Sequence, residues 1–150
     1  MRGPAVHFRP LSPDDDVRAH VRTVYEEFGL GYDPAFEDDL EEPLAHYAHG
    51  AFWVVTDGDG IVATGGVVPH GALRCVKRMY VVPRGRRSGL ARDILRRLLA
   101  WGNFEGTELW SDVRFRAAHQ MYQSEGFKPG PTRVLADPDR SVERYFSRLD

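Results

Sequence analysis

Lys77-Arg78-Met79-Tyr80-Val81-Val82-Pro83-Arg84-Gly85-Arg86-Arg87-Ser88-Gly89-Leu90-Ala91-Arg92, continued by Asp93-Ile94-Leu95-Arg96-Arg97-Leu98-Leu99-Ala100-Trp101, is the stretch that decides the fold. The β-branched and aromatic run from Met79 to Val82 predicts a strand, which Pro83 stops. Beyond it, Leu90, Ile94, Leu95, Leu98 and Leu99 recur at the spacing of one helix face, with Arg92, Arg96 and Arg97 opposite. Between strand and helix lies a Gly- and Arg-rich turn. A turn that opens a helix leaves N–H groups without partners, and the aligned peptide dipoles make that end partly positive. Such an end attracts anions, phosphates above all. Gly85 and Gly89 let the backbone turn sharply and let a ligand come close. Arg84, Arg86, Arg87 and Arg92 add bidentate donors suited to phosphate. These residues predict a pyrophosphate site. The alternative is a plain strand–helix connection with solvated arginines. Neither G-x-x-x-x-G-K-[ST] nor G-x-G-x-x-G occurs, so two familiar phosphate loops are not supported.

Composition sets the frame. A chain of 150 residues suits one domain with a sizeable core. A net charge of -2 gives no global attraction to nucleic acid or membrane. Acids gather at Asp14 to Asp16 and Glu37 to Glu42, bases between Arg74 and Arg97. Cys75 is the only cysteine, which excludes an internal disulfide and a cysteine-based metal cluster. The start, Met1 to His7, has no apolar signal core, and no segment approaches membrane-spanning length, so a soluble cytoplasmic protein is expected.

From the N-terminus, Ala5 to Arg9 reads as a strand ended by Pro10. Ser12-Pro13-Asp14 reads as a helix start, with Ser12 as N-cap and Val17, Val21, Val24, Tyr25 and Phe28 as the apolar stripe up to Gly29. A less regular helix is expected over residues 35–47, with Phe36, Leu40 and Leu44 inward and Pro43 breaking or kinking it. Residues 51–56 and 61–68 flank Asp57-Gly58-Asp59-Gly60, a strong hairpin signal. Gly65-Gly66 inside the second strand suggests a bulge or a close approach. A third antiparallel strand runs from Ala72 to Val82. Residues 107–113 alternate like a strand, residues 114–125 form a helix stopped by Gly126, and Phe127 starts a strand that Pro129-Gly130-Pro131 interrupts. A closing hairpin joins residues 132–135 to 142–149. The order predicts an α/β (α+β) domain with one mixed sheet.

Arg86-x-x-Gly89-x-Ala91 resembles the (Q/R)-x-x-G-x-(G/A) signature of the GNAT superfamily of acetyl-CoA-dependent N-acetyltransferases. Ala118-His119-Gln120-Met121-Tyr122-Gln123-Ser124-Glu125-Gly126-Phe127 is similar to that family's "A-x-x-L-Y-x-x-x-G-F" helix end, with Met121 in the Leu place. Element order agrees over essentially the whole chain, so the resemblance implies one N-acetyltransferase domain over residues 1–150. The implied sheet is mostly antiparallel, with helices on both faces and a V-shaped gap between the fourth and fifth strands.

The resemblance also implies roles. Acetyl-CoA would be the co-substrate, its pantetheine pairing with the backbone from Met79 to Val81 and the Met79 N–H steadying the thioester oxygen. The pyrophosphate would rest on the amides of Arg86, Arg87, Ser88, Gly89, Leu90 and Ala91, with Arg86, Arg87 and Arg92 nearby. Tyr122 stands where many members have the tyrosine that protonates the departing thiolate; packing in the core is its alternative role. No metal is implied. The acceptor amine must lose a proton, which for a lysine-like group at pH 7 costs about 4–5 kcal/mol. Cys75 stands where some members have a glutamate base, which leaves Glu26, Glu27, His70, Asp112 or a water chain as candidates. Phe115 replaces a frequent asparagine. The acids Glu37, Asp38, Asp39, Glu41 and Glu42 either steer a cationic acceptor or form a solvated face. The expected activity is acetyl transfer to a primary amine of a small molecule or an amino terminus. A CoA-binding module with little catalysis is the alternative. No nucleic-acid or membrane partner is expected, and the exposed closing strands would suit pairing of two copies.

Overall fold

Asp57-Gly58-Asp59-Gly60 folds as its residues predict. It joins β2 (Ala51–Asp57) to β3 (Gly60–His70) antiparallel, with Asp57 opposite Gly60 and the Asp59 amide on the Asp57 carboxylate at 2.8 Å. The computed structural model describes residues 5–150; the leader-free reading of Met1 to Pro4 falls outside them. β1 (His7–Pro10) pairs with β2, and β4 (Leu73–Val81) with β3. β5 (Gly106–Asp112), β6 (Lys128–Val134) and β7 (Val142–Leu149) complete one sheet of order β1-β2-β3-β4-β5-β7-β6, antiparallel except between β4 and β5. Pro129 to Pro131 shift the register of β6 on β7 without ending the strand. Among the described residues, no helix is long and apolar enough to cross a membrane.

α3 (Leu90–Leu99) buries Leu90, Ile94, Leu95 and Leu98 against β3 and β4, each worth about 1.5–3 kcal/mol. α4 (Arg116–Ser124) packs its Tyr122 with Phe127 and Phe146 in the same cluster. On the opposite face, α1 (Val17–Glu27) buries Val17, Val21 and Tyr25 with Val54, Phe52 and Tyr47.

Two expectations fail near this second face. α1 starts at Val17 rather than after Ser12, because Asp16 caps the Ala19 amide at 3.0 Å while Asp15 is taken by Arg9 at 2.6 Å. Residues 35–47 form no continuous helix but a 3-10 turn at Asp38–Leu40 and the short α2 (Pro43–His46), and Pro43 makes the expected break by opening α2. Leu40 is buried, whereas Phe36 and Leu44 are exposed. The apolar spacing was real at one position only, because polar partners bind the intervening acids.

Gly65 and Gly66 serve both suggested purposes. A Cβ at Gly65 would lie 2.4 Å from Ile94 Cγ2, and one at Gly66 2.8 Å from Phe52 and Tyr47. Gly65 alone opposes Arg78 and Met79, so β4 carries a one-residue bulge there, with Arg78 at φ +59° and Thr64 Oγ1 donating to its carbonyl at 2.8 Å. Gly65→Ala is expected to cost about 1–3 kcal/mol by overpacking against the β-branched Ile94. Urea unfolding checks this, and an unchanged midpoint would contradict it.

Candidate functional site

β4 and β5 touch through three register pairs only: Leu73 with Gly106, Arg74 with Thr107, and Cys75 with Glu108. Buried Arg74 pins this closed end, reaching Asp150 at 2.9 Å, the Trp101 carbonyl and Thr107. From Val76 and Leu109 onward the two strands have no ladder between them, although each stays paired on its other side. The result is a wedge open toward α3. The Val82 amide donates to Val62 of β3, so by alternation the backbone groups of Met79 and Val81 face the wedge. The Val81 carbonyl already accepts from Arg86 Nε at 3.0 Å.

At the wide end sits the Gly- and Arg-rich turn. Pro83–Gly85 make a 3-10 turn, Arg87 (φ +61°) and Gly89 (φ +81°) adopt left-handed backbone, and α3 begins at Leu90. Among the described residues, no protein group accepts a hydrogen bond from the amides of Arg87, Ser88, Gly89, Leu90, Ala91 or Arg92. Six consecutive free donors at a helix N-terminus are chemically suited to an anion. The Arg86 amide is not among them, since it donates to the Pro83 carbonyl, so the run starts one residue later than the sequence suggests. The Arg86 guanidinium also faces elsewhere. It pairs with Glu27 at 2.5 and 2.6 Å and lies over Phe28, tying α1 to the end of β4. Arg92 pairs with Glu125 at 2.9 Å.

A cavity of about 580 Å³ runs along the wedge and is lined by Met79, Tyr80, Phe115 and Tyr122, then by Glu37, Asp39 and Arg78 on one side and His70, Cys75 and Glu108 on the other. Tyr122 is buried and packs in the core with Phe127 and Phe146, as its alternative role expects, while its hydroxyl makes no hydrogen bond with the described residues. Burial, with a contribution from Tyr80, pushes its phenol above the ordinary value. Phe115 packs on Phe28 at 4.8 Å and Tyr80 at 5.8 Å, so an apolar ring stands where a polar contact was expected.

Sequence reasoning missed the network around Arg78. The bulge turns Arg78 toward the segment after α1, where it binds Asp39 through two nitrogens at 3.0 and 2.5 Å and Glu37 at 2.5 Å. Tyr25 Oη donates to Glu37 at 3.1 Å and lies 3.3 Å from Tyr80 Oη, and Tyr47 donates to Asp39 at 2.7 Å. Burial lifts the Glu37 carboxyl above its ordinary value despite Arg78 and Tyr25. At Asp39 burial acts the same way, but Arg78 and Tyr47 outweigh it and hold the carboxyl below its ordinary value. Glu37 and Asp39 are therefore internal, not a solvated face. The only sequence signal was an acid run interrupted by Leu40.

Of the suggested bases, Glu27 is engaged by Arg86, and Asp112 by Arg114 at 3.0 Å. Glu26 is exposed on α1.

A family model described as an acetyltransferase (GNAT) domain matches residues 48–129, more than half of the chain. The wedge, the free-amide turn and Tyr122 all lie inside that span. Among solved structures, the chain is similar to a GNAT-family acetyltransferase from Staphylococcus aureus Mu50, with TM-score 0.81, 19% identity, and 97% of this chain and 99% of that one covered. It is similar to Ard1 from Thermoplasma volcanium with TM-score 0.76, 19% identity and 97% of each chain covered. Arabidopsis thaliana NAA60 in complex with acetyl-CoA aligns with TM-score 0.69, 14% identity, and 97% and 98% covered. At these identities the solved structures speak for the fold. No curated protein sequence matches the chain.

Proposed function

The chain belongs to the GNAT acetyltransferase family, and from that premise we propose that it moves an acetyl group from acetyl-CoA to a primary amine of a small molecule or an amino terminus. The observation that carries this reading is the run of six free amides from Arg87 to Arg92 at the wide end of the wedge. Those donors fit a diphosphate. The unpaired edge of β4 fits an extended, amide-bearing arm laid beside it as an added strand, and a Met79 N–H would meet the thioester oxygen. The amine attacks the thioester carbon directly, the C–S bond breaks, and Tyr122 protonates the leaving sulfur.

Acetyl-CoA at about 100 times its Kd is expected to raise Tm by about 5–10 °C. Gly89→Glu should abolish the rise. A side chain at φ +81° is strained, and a carboxylate there meets the diphosphate at the free amides. An undiminished rise in that variant would remove the phosphate-site reading. The module alternative rests on Cys75, which provides no carboxylate on β4. Thiol release with a panel of primary amines and free-amino-terminus peptides separates the two, because a module binds acetyl-CoA without turnover.

A further inference from the structure

His70, Glu108 and Tyr145 come from three different strands and meet on one face of the sheet. Val68 opposes Cys75, Cys75 opposes Glu108, and Glu108 opposes Ser147, so these positions form a row across β3, β4, β5 and β7. His70 and Tyr145 each stand two residues from the row and share its face. Glu108 is the centre: one carboxylate oxygen accepts from Tyr145 Oη at 2.6 Å, and the other meets His70 Nδ1. Its side chain is only 11% exposed, whereas that of His70 is 76% exposed. His70, Cys75 and Glu108 all line the cavity that reaches Met79 and Tyr122.

This arrangement fixes the histidine's proton. Burial and the adjacent Glu108 push the Tyr145 phenol up to about 12, so it remains a donor at neutral pH. An ionised carboxylate offers only acceptors, so a neutral His70 ring must carry its hydrogen on Nδ1 to satisfy Glu108. Nε2 is then left with its lone pair, and no described residue donates to it. Of the other carboxylates lining the cavity, Glu37 and Asp39 are held by Arg78, Asp112 by Arg114, Asp137 by Ser141 and Glu143 by Arg133, while Asp38 is exposed in the segment after α1.

Resting on the acetyl-transfer reading, we propose that His70 is the base that takes a proton from the acceptor ammonium through a chain of waters in the shared cavity, with Glu108 and Tyr145 as positioning residues. The ammonium N–H bond breaks and the proton passes to Nε2. The freed lone pair forms the C–N bond as the C–S bond breaks. A second nitrogen proton is lost as the amide forms; it replaces the one Tyr122 gives the thiolate, and His70 returns the first to solvent. The charged and titratable groups around the cluster are Glu108 on β5, Tyr145 on β7, Cys75 and Lys77 on β4, and Arg133 on β6.

The test uses the whole protein and the amine of the panel that turns over fastest. His70→Ala, at an exposed position, is expected to lower kcat by about 10²-fold, leave KM for acetyl-CoA unchanged, remove the acid limb of the kcat/KM profile, and recover in part with added imidazole. Glu108→Gln should lose about tenfold, because its amide no longer dictates the tautomer, and ring ¹⁵N spectra should show the Nδ1–H form in the wild type but not in this variant. Wild-type kcat in His70→Ala, a loss that imidazole leaves untouched, or an Nε2–H ring in the wild type would overturn the assignment. A wild type inactive with every amine would overturn the acetyl-transfer reading beneath it.

Discussion

Tyr122→Phe is expected to lower kcat by about 10²–10³-fold while the Kd for acetyl-CoA changes little. The substitution keeps the ring, and the ring is what packs with Phe127 and Phe146 at centroid distances of 5.8 and 5.7 Å. Only the hydroxyl is removed, and it makes no hydrogen bond with the described residues, so no buried partner is left unsatisfied. The lost group therefore counts against the reaction and not the fold. Burial and Tyr80 hold the phenol above its ordinary value, so it stays protonated through the alkaline range where free tyrosine begins to ionise. For that reason Tyr122 adds no basic limb to the rate profile below about pH 10. Steady-state kinetics with calorimetric acetyl-CoA binding checks the pair of claims. Full turnover in the variant would retire the acid role.

Arg78→Met is expected to destabilise the protein by about 3–5 kcal/mol, because it strips the cation from two internal carboxylates. For a chain of this size the loss corresponds to a fall in Tm of about 10 °C. Asp39 and Glu37 would keep their tyrosine donors but lose the only guanidinium within reach among the described residues. The pH dependence follows from Asp39, whose carboxyl is held below its ordinary value. Its stabilising contribution is fully present above the ordinary carboxylate range and disappears as pH falls through the depressed value. The variant should accordingly lose part of the wild-type fall in stability on acidification. Adding Asp39→Asn to Arg78→Met should recover part of the loss, since the orphaned charge goes with it. Strict additivity of the two substitutions in denaturant unfolding would show that they are not coupled.

The two segments from Lys77 to Trp101 and from Ala118 to Phe127 were legible because their signals are local. Hydrophobic spacing, a proline stop and glycines at turn positions place β4, α3 and α4 to within a few residues. The twin glycines of β3 were legible for the same reason. The start of α1 was not, since the choice between Ser12 and Asp16 as cap depends on Arg9, six residues before Asp15, folding back to capture its carboxylate. Residues 35–47 misled because an acid run with apolar spacing looks like one helix until Arg78, 39 residues from Asp39, binds Glu37 and Asp39 and the segment folds as turns and the short α2. Arg86 misled differently: the motif position is right for the turn, but its side chain answers to Glu27 and Val81.

By itself the sequence determined the element order, the phosphate-suited turn before α3 and the tyrosine at the end of α4, all consequences of neighbours along the chain. Only the tertiary structure decided that β4 and β5 part after Cys75, that Arg78 gathers Glu37 and Asp39, and that His70, Glu108 and Tyr145 converge. Those contacts join residues tens of positions apart. Their energies depend on burial and on partners that no local window of residues contains.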